Sequence, residues 1–162
     1  MFITNKELLE ASIQIEREGR LFYVELCNHI DDPMTKEFLQ TMAKEEAMHE
    51  EQFKKILDEK NDQRYGWENQ QNLRELLDNK FKTDIFPSID KIMDQTSKIK
   101  GIEQALDFAI EAEKVSAEFY TLLGDACDEI DIKTQLVQLE EAEKEHLDRV
   151  KSLSKHYAPK CE

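Results

Sequence analysis

The 162-residue sequence predicts an all-α protein, a four-helix bundle made of two repeated helix pairs joined by a long crossover connection. Three observations lead there. Glycine and proline are scarce (4 and 3 residues), while 36% of the chain is charged and 40% hydrophobic, a balance that suits soluble amphipathic helices. Glu46-Ala47-Met48-His49 returns as Glu143-Lys144-Glu145-His146, a shift of 97 residues, and the repeat extends without a gap. At that shift Glu16 falls on Glu113, Phe22-Tyr23 on Phe119-Tyr120, Leu26 on Leu123, Asp31 on Asp128 and Leu39 on Leu136. Finally, the apolar stripe of each long helix is broken near its middle by residues that can bind a cation.

Helix one is expected from Thr4, whose hydroxyl can cap the first turn while Glu7 reaches back. Leu8, Ile13 or Ile15, Phe22, Leu26 and Ile30 supply its apolar stripe. Glu16 interrupts that stripe, and Tyr23, seven residues on, lies on nearly the same face two turns away. Arg17, Glu18 and Glu25 read as solvent positions. Asp32 is a candidate N-cap and Pro33 a first-turn proline. Helix two then runs to about Glu59, with Met42, Glu46, His49, Phe53 and Ile56 on one line. Between 61 and 100 lies the connection, with short helices expected over Asn72–Lys80 and from a Ser88 cap to Met93. Trp67 and Phe81 are expected on the outside of the bundle. Helix three starts near Gly101-Ile102, and Glu113 breaks its stripe of Ala105, Phe108 or Ala109, Ala112, Ala117 and Phe119. After a turn at Asp128–Asp131, helix four runs from about Ile132 to His156 on the line Leu136, Leu139, Glu143, His146, Val150, Leu153. The whole reads as one domain, 1–162, with helix pairs at 5–59 and 102–156 and a short tail at 157–162.

Glutamate and histidine are costly to bury unless paired or metal-bound. In Glu-x-x-His the two side chains lie on one helix face about a turn apart, so both reach one ion. The inventory at mid-helix is Glu16, Glu46, Glu113, Glu143, His49 and His146. Four carboxylates and two neutral imidazoles match two divalent cations, and an oxygen-rich shell suits iron or manganese, with zinc also able to occupy it. Glu46 and Glu143 are placed to bridge, Glu16 and Glu113 to act as terminal ligands. Tyr23 and Tyr120 either hydrogen-bond these ligands or act in electron transfer, or are core tyrosines with satisfied hydroxyls. Glu45, Glu111 and Glu145 fall outside the register and are set aside. His29 and His156 sit near helix ends and are assigned no part in the site. The competing reading is a metal-free bundle in which buried Glu–His pairs only tune packing.

The net charge of −14 argues against nucleic acid and anionic membrane as partners and is compatible with attracting cations. Cys27, Cys127 and Cys161 are far apart and contain no Cys-x-x-Cys, which excludes a zinc ribbon or a rubredoxin-type iron site. Cys27 and Cys127 read as core residues and Cys161 as part of the tail. No apolar run approaches a membrane span, and the first residues read as a helix start, so the expected compartment is the cytoplasm.

The segments Ile15-Glu16-Arg17-Glu18-Gly19-Arg20-Leu21-Phe22-Tyr23, Lys44-Glu45-Glu46-Ala47-Met48-His49, Ala112-Glu113-Lys114, Phe119-Tyr120 and Glu143-Lys144-Glu145-His146 resemble those of rubrerythrins, within the ferritin-like superfamily. The resemblance implies a carboxylate-bridged di-iron centre, an oxidoreductase acting on hydrogen peroxide or dioxygen or oxidising ferrous iron, and a homodimer. A non-catalytic bundle for iron storage or sensing is the alternative. Two departures stand out. Rubrerythrins usually carry a rubredoxin-like domain that feeds electrons to the centre, and these residues hold none, so an external donor or ferrous iron itself must supply them. Ser116 stands where an additional glutamate is typical, which weighs against efficient peroxidase turnover and leaves ferrous oxidation open.

Overall fold

A computed structural model describes residues 2–57, 64–81, 85–95 and 97–157. Among these residues there are helices and no strands. In chain order they are α1 (Asn5–Cys27), α2 (Pro33–Ile56), α3 (Gln71–Lys80), α4 (Ile89–Asp94), α5 (Lys98–Ala126) and α6 (Ile130–Tyr157). The long helices pack as α1 on α2 and α5 on α6, and the pairs meet through α1 with α5 and α2 with α6. The turns inside each pair are too short for anything but antiparallel neighbours.

Local chemistry sets the helix ends. The Thr4 hydroxyl accepts from the Glu7 amide at 3.1 Å. Asp32 accepts from the Thr35 amide at 3.0 Å, with Pro33 at the first position, where its missing N–H is harmless. Glu129 caps α6 by accepting from the amides of Asp131 and Ile132. Ser88 occupies the N-cap position of α4, but its side chain makes no capping bond. Helix α5 begins at Lys98, ahead of the predicted Gly101, and the predicted end of helix two near Glu59 lies outside the described residues, as does Cys161.

The core is split in two. One apolar cluster gathers Leu8, Ile15, Phe53, Phe119, Leu123, Leu136 and Leu139, and a second gathers Phe22, Leu26, Leu39, Met42, Ala105, Ala109 and Val150. Along every long helix the junction between clusters falls at the predicted polar interruption. Cys27 and Cys127 are buried thiols, one in each cluster.

The connection contributes more than expected. Trp67 is fully buried against Tyr65, with ring centroids 5.0 Å apart, and belongs to the first cluster rather than the outside of the bundle. Phe81 is half-buried and stacks on Phe119 at 5.6 Å. Glu18, read from sequence as a solvent position, accepts the amides of Ile85 and Phe86 at 2.8 and 3.3 Å and ties the connection to α1. Arg17 likewise has a partner, the buried Glu50 of α2. Gly66 has φ of 102°, and a Cβ there would collide with the Ala126 carbonyl oxygen. Gly66→Ala therefore meets both a disfavoured backbone region and a backbone clash, each worth about 1–3 kcal/mol. The expected result is a melting temperature lower by roughly 5 °C or more; an unchanged melt would mean that this turn does not hold the connection in place.

Candidate metal centre

All six predicted residues meet in the layer between the two apolar clusters. Glu16 comes from α1, Glu46 and His49 from α2, Glu113 from α5, and Glu143 and His146 from α6; none exceeds 8% exposure. Steps of three and four along α2 and α6 aim each Glu-x-x-His inward, because the flanking residues of the same stripe are core. One ligand-type atom from each of Glu46, His49, Glu143 and His146 lies within 4.8 Å of the others. The two imidazoles face each other with ring centroids 5.1 Å apart.

The nearest histidine–carboxylate contacts cross between repeats, and the longer ones stay within a repeat. His49 Nδ1 lies 3.1 Å from Glu143 Oε1 and 3.7 Å from Glu16 Oε2. His146 Nδ1 lies 2.7 Å from Glu46 Oε1 and 3.8 Å from Glu113 Oε1. The tyrosines follow the same symmetry. Tyr23 donates to Glu113 at 2.5 Å, and Tyr120 donates to Glu16 at 2.9 Å, so each hydroxyl holds the carboxylate of the other repeat. Both tyrosines belong to the apolar clusters, and both hydroxyls are satisfied by carboxylates of the predicted set. Ser12, which the sequence did not single out, sits 2.9 Å from the Tyr120 hydroxyl and has Ala109 as its register counterpart.

Burial and mutual repulsion set the charge state. Burial raises the Glu46 carboxyl, and the charges of Glu143, Glu16 and Glu113 push it well above its usual range. Burial and Glu143 push Glu113 up to about 7. Glu143 is raised by burial and by Glu16. Burial works to raise Glu16, but the neighbouring Glu46 carboxyl and His49 imidazole outweigh it and hold Glu16 below its usual range. Burial lowers the imidazoles, yet Glu143 and Glu16 lift His49 to about 10, and Glu113 and Glu143 lift His146 to about 9. Glu46 is nearer to His146 than Glu113 is, but Glu46 is held protonated, so the charge that retains the His146 proton comes from Glu113. Burial and the neighbouring carboxylates keep both phenols neutral and donating. Protons thus fill the metal-free site with the positive charge that cations would supply.

This donor set fits a bound metal cation. Glu16 Oε2, Glu113 Oε2 and Glu143 Oε2 are buried with no hydrogen-bond partner among the described residues. A buried carboxylate oxygen without a partner is a penalty that a coordinated ion removes. Oxygen and imidazole donors without thiolate suit iron or manganese.

A sequence model of the rubrerythrin family matches residues 7–154. The chain belongs to the rubrerythrin family. No curated protein matches it. Two solved structures share the fold. One is a protein from Thermotoga maritima described as ferritin-like and diiron-carboxylate, with 24% identity, a TM-score of 0.72, and coverage of 98% of this chain and 99% of that one. The other is a hypothetical protein from Pyrococcus furiosus, with 23% identity, a TM-score of 0.70, and coverage of 96% and 90%. This rubrerythrin-family chain has, among its described residues, no helix long and apolar enough to cross a membrane.

Two features lie outside the sequence register. Ser116, in the place of the additional family glutamate, is buried and donates to the Ala112 carbonyl at 3.1 Å, so it adds no carboxylate. Glu45, set aside because it breaks the 97-residue repeat, accepts from His146 Nε2 at 2.7 Å. The departure from the repeat that excluded Glu45 is the same departure that makes it distinctive. His29 pairs with Asp90 at 3.6 Å and His156 packs edge-on against Tyr157, and neither contacts the six central residues.

Proposed function

We propose that this rubrerythrin-family chain holds two iron ions on Glu16, Glu46, His49, Glu113, Glu143 and His146 and passes electrons from them to dioxygen or hydrogen peroxide. The observation that carries the reading is the buried layer of four carboxylates and two imidazoles, with three carboxylate oxygens left without partners. Four carboxylates balance two divalent ions, with both imidazoles neutral. The ion pair would supply two electrons to one oxidant molecule. The protein's own part is positional. Tyr23 and Tyr120 fix the terminal carboxylates Glu113 and Glu16, and Nδ1 of each histidine faces the carboxylates. The apolar clusters above and below exclude water, which strengthens every charge interaction inside. Because Ser116 contributes no carboxylate, we favour oxidation of ferrous iron over sustained peroxidase turnover. We extend the proposal to a cytoplasmic homodimer whose electrons come from ferrous iron or a separate donor, since these residues hold no Cys-x-x-Cys.

Anaerobic ferrous titration of the metal-free protein tests this. Two ions per chain are expected, both lost in Glu143→Ala, and the loaded protein should then consume one peroxide for each ion pair oxidised. Binding without oxidant consumption would move the chain to iron storage or sensing. Absence of specific binding would leave the metal-free bundle.

A further inference from the structure

The duplication makes the two halves of the centre alike, so any departure from it separates the two metal positions. The largest departure is at the histidines. His146 Nε2 donates to Glu45 Oε2 at 2.7 Å, and Arg149 Nη1 donates to the same oxygen at 2.8 Å. Arg149 is anchored in turn by Glu145 through Nη2 at 2.5 Å. The 97-residue counterpart of Glu45 is Ala142, and that of Arg149 is Gln52. Among the described residues no carboxylate pairs with His49 Nε2, since both of its carboxylate contacts are made through Nδ1. The exposures differ in the same sense: 2% for the His146 side chain and 10% for that of His49.

We propose that Glu45, held by Arg149, is a positioning residue that makes the two metal positions unequal, with the tighter ion at His146 and the weaker, exchangeable ion at His49. This rests on the two-ion reading above. A carboxylate on the far nitrogen fixes the proton at Nε2, leaves the Nδ1 lone pair for the ion, and makes the imidazole a stronger donor. It also holds the ring from its outer edge, and His49 has no carboxylate to do the same at its Nε2. Loss of such an outer partner typically weakens metal affinity about 10–100-fold.

The test is stepwise equilibrium binding of cobalt(II) to the metal-free full chain, read by optical absorption and dialysis. Wild type should show two separated steps. His146→Ala should remove the tighter step and His49→Ala the weaker one. Glu45→Ala should weaken the tighter step about 10–100-fold and leave the other within about threefold. Glu45→Gln, which can still accept from Nε2, should recover part of the loss. Glu45 is partly exposed and outside both apolar clusters, so its replacement leaves the core intact. The double variant Ala142→Glu/Gln52→Arg asks the same question from the other side by drawing the two steps together. Two equivalent steps in wild type, or an equal effect of Glu45→Ala on both, would overturn the inequality while leaving the two-ion centre intact. No bound ion at all would overturn both.

Discussion

Replacing Glu46 by glutamine is expected to stabilise the metal-free protein at neutral pH while abolishing tight binding of the ion pair. Glu46 is buried among three other carboxylates and is held protonated, well above its ordinary value of 4.5. Above that value the unfolded chain releases this proton and the folded chain keeps it. The raised pKa therefore costs stability as pH rises above 4.5, at about 1.4 kcal/mol per pH unit while the folded group keeps its proton. Glutamine removes this cost and keeps the geometry. Its oxygen can accept from His146 Nδ1, as Glu46 Oε1 does now. A gain of about 1–3 kcal/mol, or roughly 3–10 °C in melting temperature, should appear at pH 7 and vanish near pH 4.5. With ferrous iron present the order should reverse, because the variant lacks one of the proposed ligand carboxylates and gains little from metal-linked folding. A metal-free Glu46→Gln protein less stable than wild type at pH 7 would mean that the carboxylates do not repel one another as the structure implies.

The fold is legible in the sequence because a duplication displays which positions are constrained. Met42, Phe53 and Ile56 have register partners Leu139, Val150 and Leu153, so the repeat alone draws the core-facing lines of α2 and α6, with Glu46, His49, Glu143 and His146 set within them. Tyr23 and Tyr120 emerge the same way, although only the folded chain shows that each serves the other repeat. The connection gives no such help. Trp67 lies in a segment without helical period, and nothing local signals that residues beside Gly66 fold back under the α5–α6 turn, where Asp128 donates its amide to the Tyr65 carbonyl at 2.8 Å. Glu18 looks solvent-facing because its partners are two backbone amides of that connection, and backbone amides leave no mark in a sequence. Glu45 is hidden for the opposite reason. Reasoning from the repeat discards whatever the repeat does not share, and the asymmetry of a duplicated site is made of such residues.

The pH dependence of stability should change sign when the centre is filled. In the metal-free state the imidazoles of His49 and His146 titrate near 10 and 9, above their ordinary 6.5. Their contribution is fully present below 6.5 and is lost as pH rises through 9 to 10. Glu113, raised from 4.5 to about 7, acts in the same direction over the lower range, because its proton is held by the folded chain and not by the unfolded one. From about pH 5 to 9 the folded protein therefore carries more protons than the unfolded chain, and each one in excess lowers stability by about 1.4 kcal/mol per pH unit. Glu16 is the exception: its depressed pKa contributes stability above 4.5 that is lost as pH falls through the folded value, so it steepens only the acid limb. Cations displace these same protons, and ligation requires neutral imidazole and ionised carboxylate, so the loaded protein gains stability as pH rises. Thermal melts from about pH 5 to 9, metal-free and with anaerobic ferrous iron, should give a falling and a rising line. Parallel lines would show that the protons and the metal do not share one site, and would leave the buried Glu–His pairs as packing alone.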